Sequence, residues 1–258
     1  MPMTGNDVRD RKRQALVGVF LAACIISAWA LTHIGGVFFY EWGPHSFITA
    51  PLLIALNCWL YVGLFIVAHD CMHGSLVPFR PAWNKVIGQT CLLLYAGFEF
   101  DRLNRKHHLH HRHSGTEGDP DFDARPPHGF LAWYISFFTE YFGWKQLAFI
   151  ASVTLVYLFV FQASYANLLV FWALPALLSS VQLFYFGTYL PHRPGSSPFA
   201  DRHRARSNEW HWLASLLTCF HFGYHHEHHV HPSVPWWRLP NARNGENYAE
   251  TPSLPAEG

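Results

Sequence analysis

Hydrophobic positions in this chain run in long blocks rather than alternating, and four blocks dominate. The first, "ALVGVFLAACIISAWALTHIGG", covers residues 15–36; the others cover about 47–68, 147–163 and 167–190. A helix rises 1.5 Å per residue, so a block of about 20 residues crosses a hydrocarbon core of roughly 30 Å. The spacing predicts four transmembrane helices, paired as two hairpins by short polar connections. A cleaved signal sequence is the other use of a basic start and an apolar centre. The first block exceeds the usual ~7–15-residue core of such signals and has no clear small-x-small cleavage site, so a retained helix is expected.

Two weaker segments lie between the hairpins. "VIGQTCLLLYAGF" (Val86 to Phe98) falls short of a span, and "GFLAWYISFFTEYFGW" is aromatic and interrupted by Glu140. Both read as interfacial or buried helices. If neither crosses, then "RDRKR", "RLNRKHHLHHR" and "RHRARS" all fall on one side, as the positive-inside bias requires. The fold class expected is therefore an all-α integral membrane protein. Residues 1–240 form one domain of four spans with both termini in the cytoplasm, and 241–258 form a polar, Pro-containing disordered tail.

Composition agrees with a bilayer. Half of the residues are hydrophobic and only 14% are charged, against about 25% in soluble domains. The net charge of +1 offers no bulk attraction for nucleic acid, which is excluded as a partner. Five cysteines, Cys24, Cys58, Cys71, Cys91 and Cys219, form no C-x-x-C pair and lie mostly in apolar runs, so no disulfide framework is expected.

Against this background the 19 histidines stand out by where they fall. His69 and His73 are four apart in "HDCMH". His107, His110 and His111 in "HHLHH" stand at i, i+3 and i+4, and His225, His228 and His229 in "HHEHH" repeat that spacing. Residues three and four apart share a helix face, so each cluster can aim two or three imidazoles at one place. His192, at the end of the fourth block in "TYLPHR", can join them, with Pro191 ending regular helix at about Leu190. Nine imidazoles are too many for one metal ion and about right for two.

A lone histidine in an apolar protein is usually structural, and a histidine-rich tract can be low-complexity sequence. Such a tract has no reason to repeat one spacing in separate segments. His108, His113, His226 and His231 are offset from the shared faces and read as surface or supporting groups. His33, His45, His128, His203, His211 and His221 read as structural or undecided, with His221 the foremost among them. The zinc-protease motif H-E-x-x-H fails here, because after His226 and Glu227 the second histidine position is Val230. Imidazole suits iron, copper and nickel as well as zinc. Two nitrogen-ligated irons beside a membrane cavity would suit oxidation of an unactivated C–H bond, and the residue chemistry alone goes no further.

The order HxxxH, HxxHH, HxxHH beside hydrophobic spans resembles the membrane fatty-acid desaturase and hydroxylase superfamily. The surrounding phrases "GLFIVAHDCMHGSLVP", "YAGFEFDRLNRKHHLHHRHSGTEGDPDF", "QLFYFGTYLPHR" and "LTCFHFGYHHEHHVHPSVPWWRLP" are similar to those of the bacterial β-carotene ketolases, over about residues 15–240. The resemblance implies a di-iron centre, dioxygen as co-substrate and a carotenoid substrate in the bilayer. It also implies a small electron donor such as ferredoxin with its reductase, and an inner-membrane location with the site on the cytoplasmic side. The implied reaction converts the 4 and 4′ methylenes of β-ionone rings to ketones, from β-carotene through echinenone to canthaxanthin. That carbon is allylic, which eases hydrogen abstraction, and two hydroxylations there give a geminal diol that loses water.

In that picture the nine clustered histidines hold iron. Asp70, Asp119, Asp121 and Glu227 are candidates for carboxylates that orient imidazoles through the free ring N–H. A turn around Pro120 is the other use of the two aspartates in "GDPDF". The aromatic residues could line a channel for a rigid polyene, although interfacial belts and span packing account for most of them. Two other classes use or mimic the same features: a carotenoid ring hydroxylase or acyl-lipid desaturase with the same boxes, and a non-catalytic metal carrier. A transporter would bury ionisable groups within its spans, and these spans offer almost none. Spacing leaves open how the histidines divide between two irons.

Overall fold

The computed structural model describes residues 5–123, 129–195 and 197–244, and among them every regular element is helical. Helix α1 (Gly5–Phe39) begins well before the first apolar block and carries its basic residues on the same helix. Helix α2 (Ser46–Met72) returns antiparallel and is the central element, buried almost continuously from Asn57 to its end. Its side chains meet α1, α3 (Pro81–Ala96) and the long helix α7 (Tyr165–His192). Helix α4 (Phe100–His113) follows α3, and α5 (Phe130–Tyr141) and α6 (Trp144–Phe159) come next. Three short helices close the chain: α8 (Trp212–Cys219), α9 (His225–Val230) and α10 (Leu239–Arg243).

Three of these helices, α1, α2 and α7, are long and apolar enough to cross a membrane. The predicted span at 147–163 differs. Helix α6 stops at Phe159 and, at 16 residues, falls short of a full crossing by itself. Together with α5, against which it bends by 78°, it has the required length and apolarity. Leu16, Phe20 and Leu31 on α1, Phe47 and Leu52 on α2, and Phe159 on α6 are each more than half exposed. Large apolar groups on that scale belong against lipid rather than water.

Local chemistry explains the packing around α2. Gly88 on α3 sits where a Cβ would come 2.3 Å from the Phe100 ring and 3.0 Å from Cys71 Cβ, so only glycine lets α3 lie this close. Gly97 ends α3 in the left-handed conformation (φ +70°), with its N–H bonded to carbonyls of the last turn. Near the start of α1, the buried Gln14 donates to the Ser75 carbonyl (2.6 Å), and Arg238 pairs with Asp10 through two bonds of 2.8 and 2.7 Å. The basic start of α1, the end of α2 and the C-terminal region therefore share one end of the molecule. At the other end Trp42 Nε1 donates to Asn167 Oδ1 (2.7 Å).

Helix α7 contains two π-helical turns, Leu169–Ala173 and Tyr185–Tyr189. A π turn frees a carbonyl from the regular ladder, and Asn57 Nδ2 reaches that of Phe171 (3.3 Å). The second turn corrects an expectation. Helical structure does not stop at Leu190 but runs through Pro191 to His192, because the extra residue in the preceding turn relieves the regular i−4 pattern that proline would break. The first residues of the predicted tail are helical. Residues 241–243 belong to α10, anchored by the buried Leu239 against Tyr224 and Val234. Residues 245–258 lie outside the described residues.

Candidate metal centre

Four helix ends deliver nine imidazoles to one place. His69 lies in the last turn of α2, and His73 caps that helix with its N–H on the His69 carbonyl (3.3 Å). The last two turns of α4 carry His107, His110 and His111; α7 ends on His192; and α9 carries His225, His228 and His229. The fold brings together the eight histidines singled out by spacing and His192, and it divides them into two groups. His69, His73, His107, His111 and His228 form one, and His110, His192, His225 and His229 the other, with the ring nitrogens of each group within 4.8 Å of one another.

The division follows helix geometry. Adjacent helical residues point about 100° apart, whereas i and i+4 nearly coincide. In α4 the i, i+4 pair His107 and His111 faces the first group while His110 turns to the second. In α9 the assignment inverts, the i, i+4 pair His225 and His229 joining the second group and His228 the first. Each HxxHH box thus serves both groups.

The nitrogen contacts suit metal ligation better than a hydrogen-bond network. His107 Nε2 lies 2.6 Å from His73 Nε2 and 3.1 Å from His111 Nε2, and His111 Nε2 is 3.0 Å from His228 Nε2. In the second group His225 Nε2 is 3.0 Å from both His192 Nε2 and His229 Nε2, and His110 Nε2 is 3.2 Å from His229 Nε2. A ring nitrogen takes part in one good hydrogen bond, as donor or as acceptor, so His107, His111, His225 and His229 each have one contact too many. Nitrogens each roughly 2 Å from a shared ion stand about 3 Å apart. His69 adds buried Nδ1 and Nε2 atoms with no hydrogen-bond partner, an arrangement that a metal ion would relieve. This donor set fits a pair of imidazole-bound metal ions.

Electrostatics point the same way. Burial first, and the charge of neighbouring rings second, hold His73, His107, His111, His225, His228 and His229 well below the ordinary imidazole value. Neutral imidazole is the ligating form. His110 behaves differently: burial lowers its pKa, but the charge and hydrogen bond of Asp119, with the charge of Asp121, outweigh that and raise it. Asp119 is held below the usual carboxylate value despite burial, by His110 and by the N–H groups of Gly115 and Asp121. Asp121 is pushed up to about 6, chiefly by burial, with the Asp119 charge adding to the shift.

The four candidate carboxylates have four different situations. Asp119 grips His110 Nδ1 with both oxygens, at 2.9 and 3.0 Å, and is itself fixed by Gly115 N (2.9 Å) and Asp121 N (2.8 Å). Asp70 accepts from Trp236 N (3.1 Å), and its other oxygen stands 3.7 Å from His69 Nδ1, too far for a hydrogen bond. Asp121 Oδ2 stands 3.7 Å from His110 Nδ1, while its Oδ1 accepts the Tyr141 hydroxyl. Glu227 departs from the expectation: its carboxylate accepts from Ser207 and touches none of the nine imidazoles among the described residues. Ser207 also receives the His226 N–H, so Glu227 ties α9 to the preceding loop.

Sequence spacing did not reveal two further orienting groups. His192 Nδ1 donates to the Arg204 carbonyl (2.8 Å), and Ser114 Oγ stands 3.3 Å away. A backbone carbonyl has no sequence signature. The remaining described histidines belong to neither group, although the His108 ring lies 5.6 Å from that of His73 and the His203 ring 6.1 Å from that of His229. His226 pairs with Asp201 (2.8 Å), and His108 with the Asn104 carbonyl (2.9 Å). His221 meets Ser215 Oγ (3.2 Å) and stacks near Trp236, and His33 stacks on Trp29 within the span. His128 lies outside the described residues.

A cavity of about 350 Å³ opens onto both groups through His69, His107, His110 and His225. Its walls are mainly aliphatic and aromatic side chains of α2, α5 and α7. Asp121 and Tyr141 bring polar atoms to its surface. Arg102 and Lys106 on α4 hold the carbonyl of Glu140 at 2.9 and 2.8 Å, pinning the end of α5 so that Tyr141 stands over the site.

Comparison with known proteins gives a consistent picture. Residues 42–253 match the profile of the fatty acid desaturase family. A beta-carotene ketolase of Paracoccus sp. is 50% identical over 220 residues, covering 85% of this chain and 89% of the relative. Beta-carotene 4-ketolase 3 of Haematococcus lacustris is 38% identical over 265 residues, covering 92% and 82% respectively. Zeaxanthin 4-ketolase of Chlamydomonas reinhardtii is 36% identical over 245 residues, covering 90% of this chain and 54% of the relative.

Proposed function

The chain belongs to the fatty acid desaturase family, and from that premise we propose that it is a carotenoid ketolase of the membrane. It oxidises the 4 and 4′ methylenes of β-ionone rings to ketones, taking β-carotene through echinenone to canthaxanthin. The observation that carries this reading is the apolar cavity that ends on imidazoles of both groups. A long hydrocarbon is soluble only in the bilayer, and such a cavity receives its ring end beside the metal centre without exposing it to water. The ketolase names of relatives up to 50% identical support the same substrate class.

Two irons are the metals proposed. One is held by His69, His73, His107, His111 and His228, the other by His110, His192, His225 and His229. When bound, the di-iron centre supplies activation of dioxygen and removal of hydrogen from the allylic methylene. The protein's own share is positional. Asp119 and the Arg204 carbonyl fix the tautomers and ring planes of His110 and His192. The cavity walls hold the ring and keep bulk water away from the reacting carbon.

Four crossings are proposed, through α1, α2, the bent α5–α6 pair and α7, with the histidines on the cytoplasmic side of the inner membrane. The basic start of α1, next to the end of α2, supports that orientation. His73, His107 and His111 are only partly buried, whereas the second group is wholly buried, so electrons from a small donor such as ferredoxin enter by the first group. Expression in a β-carotene-producing host, with pigments separated by chromatography, tests the reading. Echinenone and canthaxanthin are expected; accumulation of ring alcohols alone, or of newly desaturated acyl chains, would replace it.

A further inference from the structure

The ketolase reading requires two oxidations at one carbon, and the ring must stay, or be recaptured, between them. Each round puts one atom of dioxygen into the ring and the other into water, with electrons from the redox donor and protons from solvent. The first round turns the methylene into a secondary alcohol. The second gives a geminal diol, which loses water to the ketone. Of these species only the alcohol and the diol carry a hydrogen-bond donor.

Among the polar groups on the wall of the apolar cavity, a carboxylate and a phenol suit that difference. Asp121 and Tyr141 lie together on its wall, with Asp121 Oδ2 3.7 Å from Nδ1 of His110, which also lines the cavity. The Tyr141 hydroxyl spends its proton on Asp121 Oδ1. Asp121 Oδ2 accepts no hydrogen bond among the described residues, and the nearby His110 Nδ1 has given its proton to Asp119. The Asp121 backbone is fixed at both ends, its N–H on Asp119 Oδ1 (2.8 Å) and its carbonyl under Trp133 Nε1 (2.7 Å). The pair therefore presents lone pairs from a rigid support and has no spare donor.

We propose that Asp121 and Tyr141 form an acceptor pair that binds the ring hydroxyl of the half-oxidised substrate and releases the ketone. This rests on the ketolase reading. The unreacted methylene gains nothing from the pair, the alcohol and diol donate to it, and the ketone offers only an acceptor to a surface of acceptors. The same site then holds the intermediate and lets the product leave. These are positioning residues, since they act on the orientation and residence of the ring rather than on the oxidation itself.

The test uses Tyr141→Phe and Asp121→Asn. Tyr141→Phe removes one acceptor and frees the Asp121 oxygen; Asp121→Asn replaces an acceptor with an amide donor. In cells making β-carotene, Asp121→Asn should raise the ratio of 4-hydroxy to 4-keto products by about tenfold, the scale of one hydrogen bond to a charged group, and Tyr141→Phe, which leaves a carboxylate oxygen free in place of the lost hydroxyl, should raise it less. Binding to purified metal-free protein gives the second readout, with 4-hydroxy-β-ionone and 4-oxo-β-ionone as probes. Affinity for the alcohol should fall by a similar factor in Asp121→Asn and by less in Tyr141→Phe; affinity for the ketone should hold in Tyr141→Phe and rise in Asp121→Asn. An unchanged product ratio, equal loss of affinity for both probes, or loss of bound metal from both variants would overturn the proposal. A wild-type chain that makes no oxygenated β-carotene would instead overturn the ketolase reading itself.

Discussion

Asp119 holds His110 by both carboxylate oxygens, 2.9 and 3.0 Å from Nδ1, and so turns the opposite nitrogen of that ring toward His229. The grip depends on a tight turn: Asp119 lies nine residues past His110 and receives the Gly115 and Asp121 N–H groups, so its orientation is set locally before it meets the ring. A ligand ring with a fixed tautomer and plane binds metal without first giving up rotational freedom.

Asp119→Asn should therefore lower metal affinity about 10–100-fold, the usual cost of losing such an orienting partner. Metal bound per chain, measured on protein purified in detergent across a range of free metal, reads this directly. Asp70→Asn, whose carboxylate stands 3.7 Å from its ring, should leave metal affinity close to that of the wild type. Equal losses in the two variants would remove the distinction.

Because neighbours in α4 face different groups, pairs of alanine substitutions should separate them. His107→Ala with His111→Ala removes two nitrogens from one group only, and about one metal ion per chain should remain, on the intact four-histidine set. His110→Ala with His111→Ala takes one nitrogen from each group and should deplete both. The same residual metal in both double variants would contradict the division.

Stability of the metal-free protein should depend on pH in one direction. In the folded state His225, His228 and His229 are held below the ordinary 6.5, by burial above all, whereas in the unfolded chain they return to it. Unfolding therefore takes up protons below about 6.5 and none well above it, so these groups favour the unfolded chain only on the acid side. The thermal midpoint in detergent should fall from about pH 7 toward about pH 5, because the lowered rings outnumber His110, whose raised pKa acts in the opposite sense. A midpoint that rises on acidification would refute the assignment of these rings as buried and neutral.

Gly88→Ala tests the closeness of α3 to α2. The added methyl would stand 2.3 Å from the Phe100 ring and 3.0 Å from Cys71 Cβ, overpacking that costs about 1–3 kcal/mol. Phe100 begins the helix that carries His107, His110 and His111, so metal occupancy should fall with stability. A variant as stable and as well loaded as the wild type would show that the α3–α2 contact yields freely.

Helices and histidine clusters were legible in the residues themselves for a local reason. A helix repeats every 3.6 residues and a bilayer has fixed thickness, so apolar blocks and i, i+3, i+4 histidines can be read without knowing what packs against what. The long apolar helices α1, α2 and α7 and the shared helix faces within each histidine cluster follow from such short-range regularities. The residues read as a span at 147–163 fold as a helix that reaches the required length only together with α5, because hydropathy does not register the 78° bend between them.

Everything that depends on partners distant in the chain was decided by the tertiary structure. Spacing placed His110 beside His111, but the crossing of α4 with α9, more than a hundred residues later, sends one ring to each group. Four acidic residues near the boxes looked alike in sequence; packing gave Asp119 a ring, drew Glu227 away to Ser207, and set Asp121 against Tyr141 on the cavity wall. A carboxylate bonds whichever donor lies about 3 Å away in the right direction. Sequence supplies the carboxylate, and only the folded chain supplies the distance.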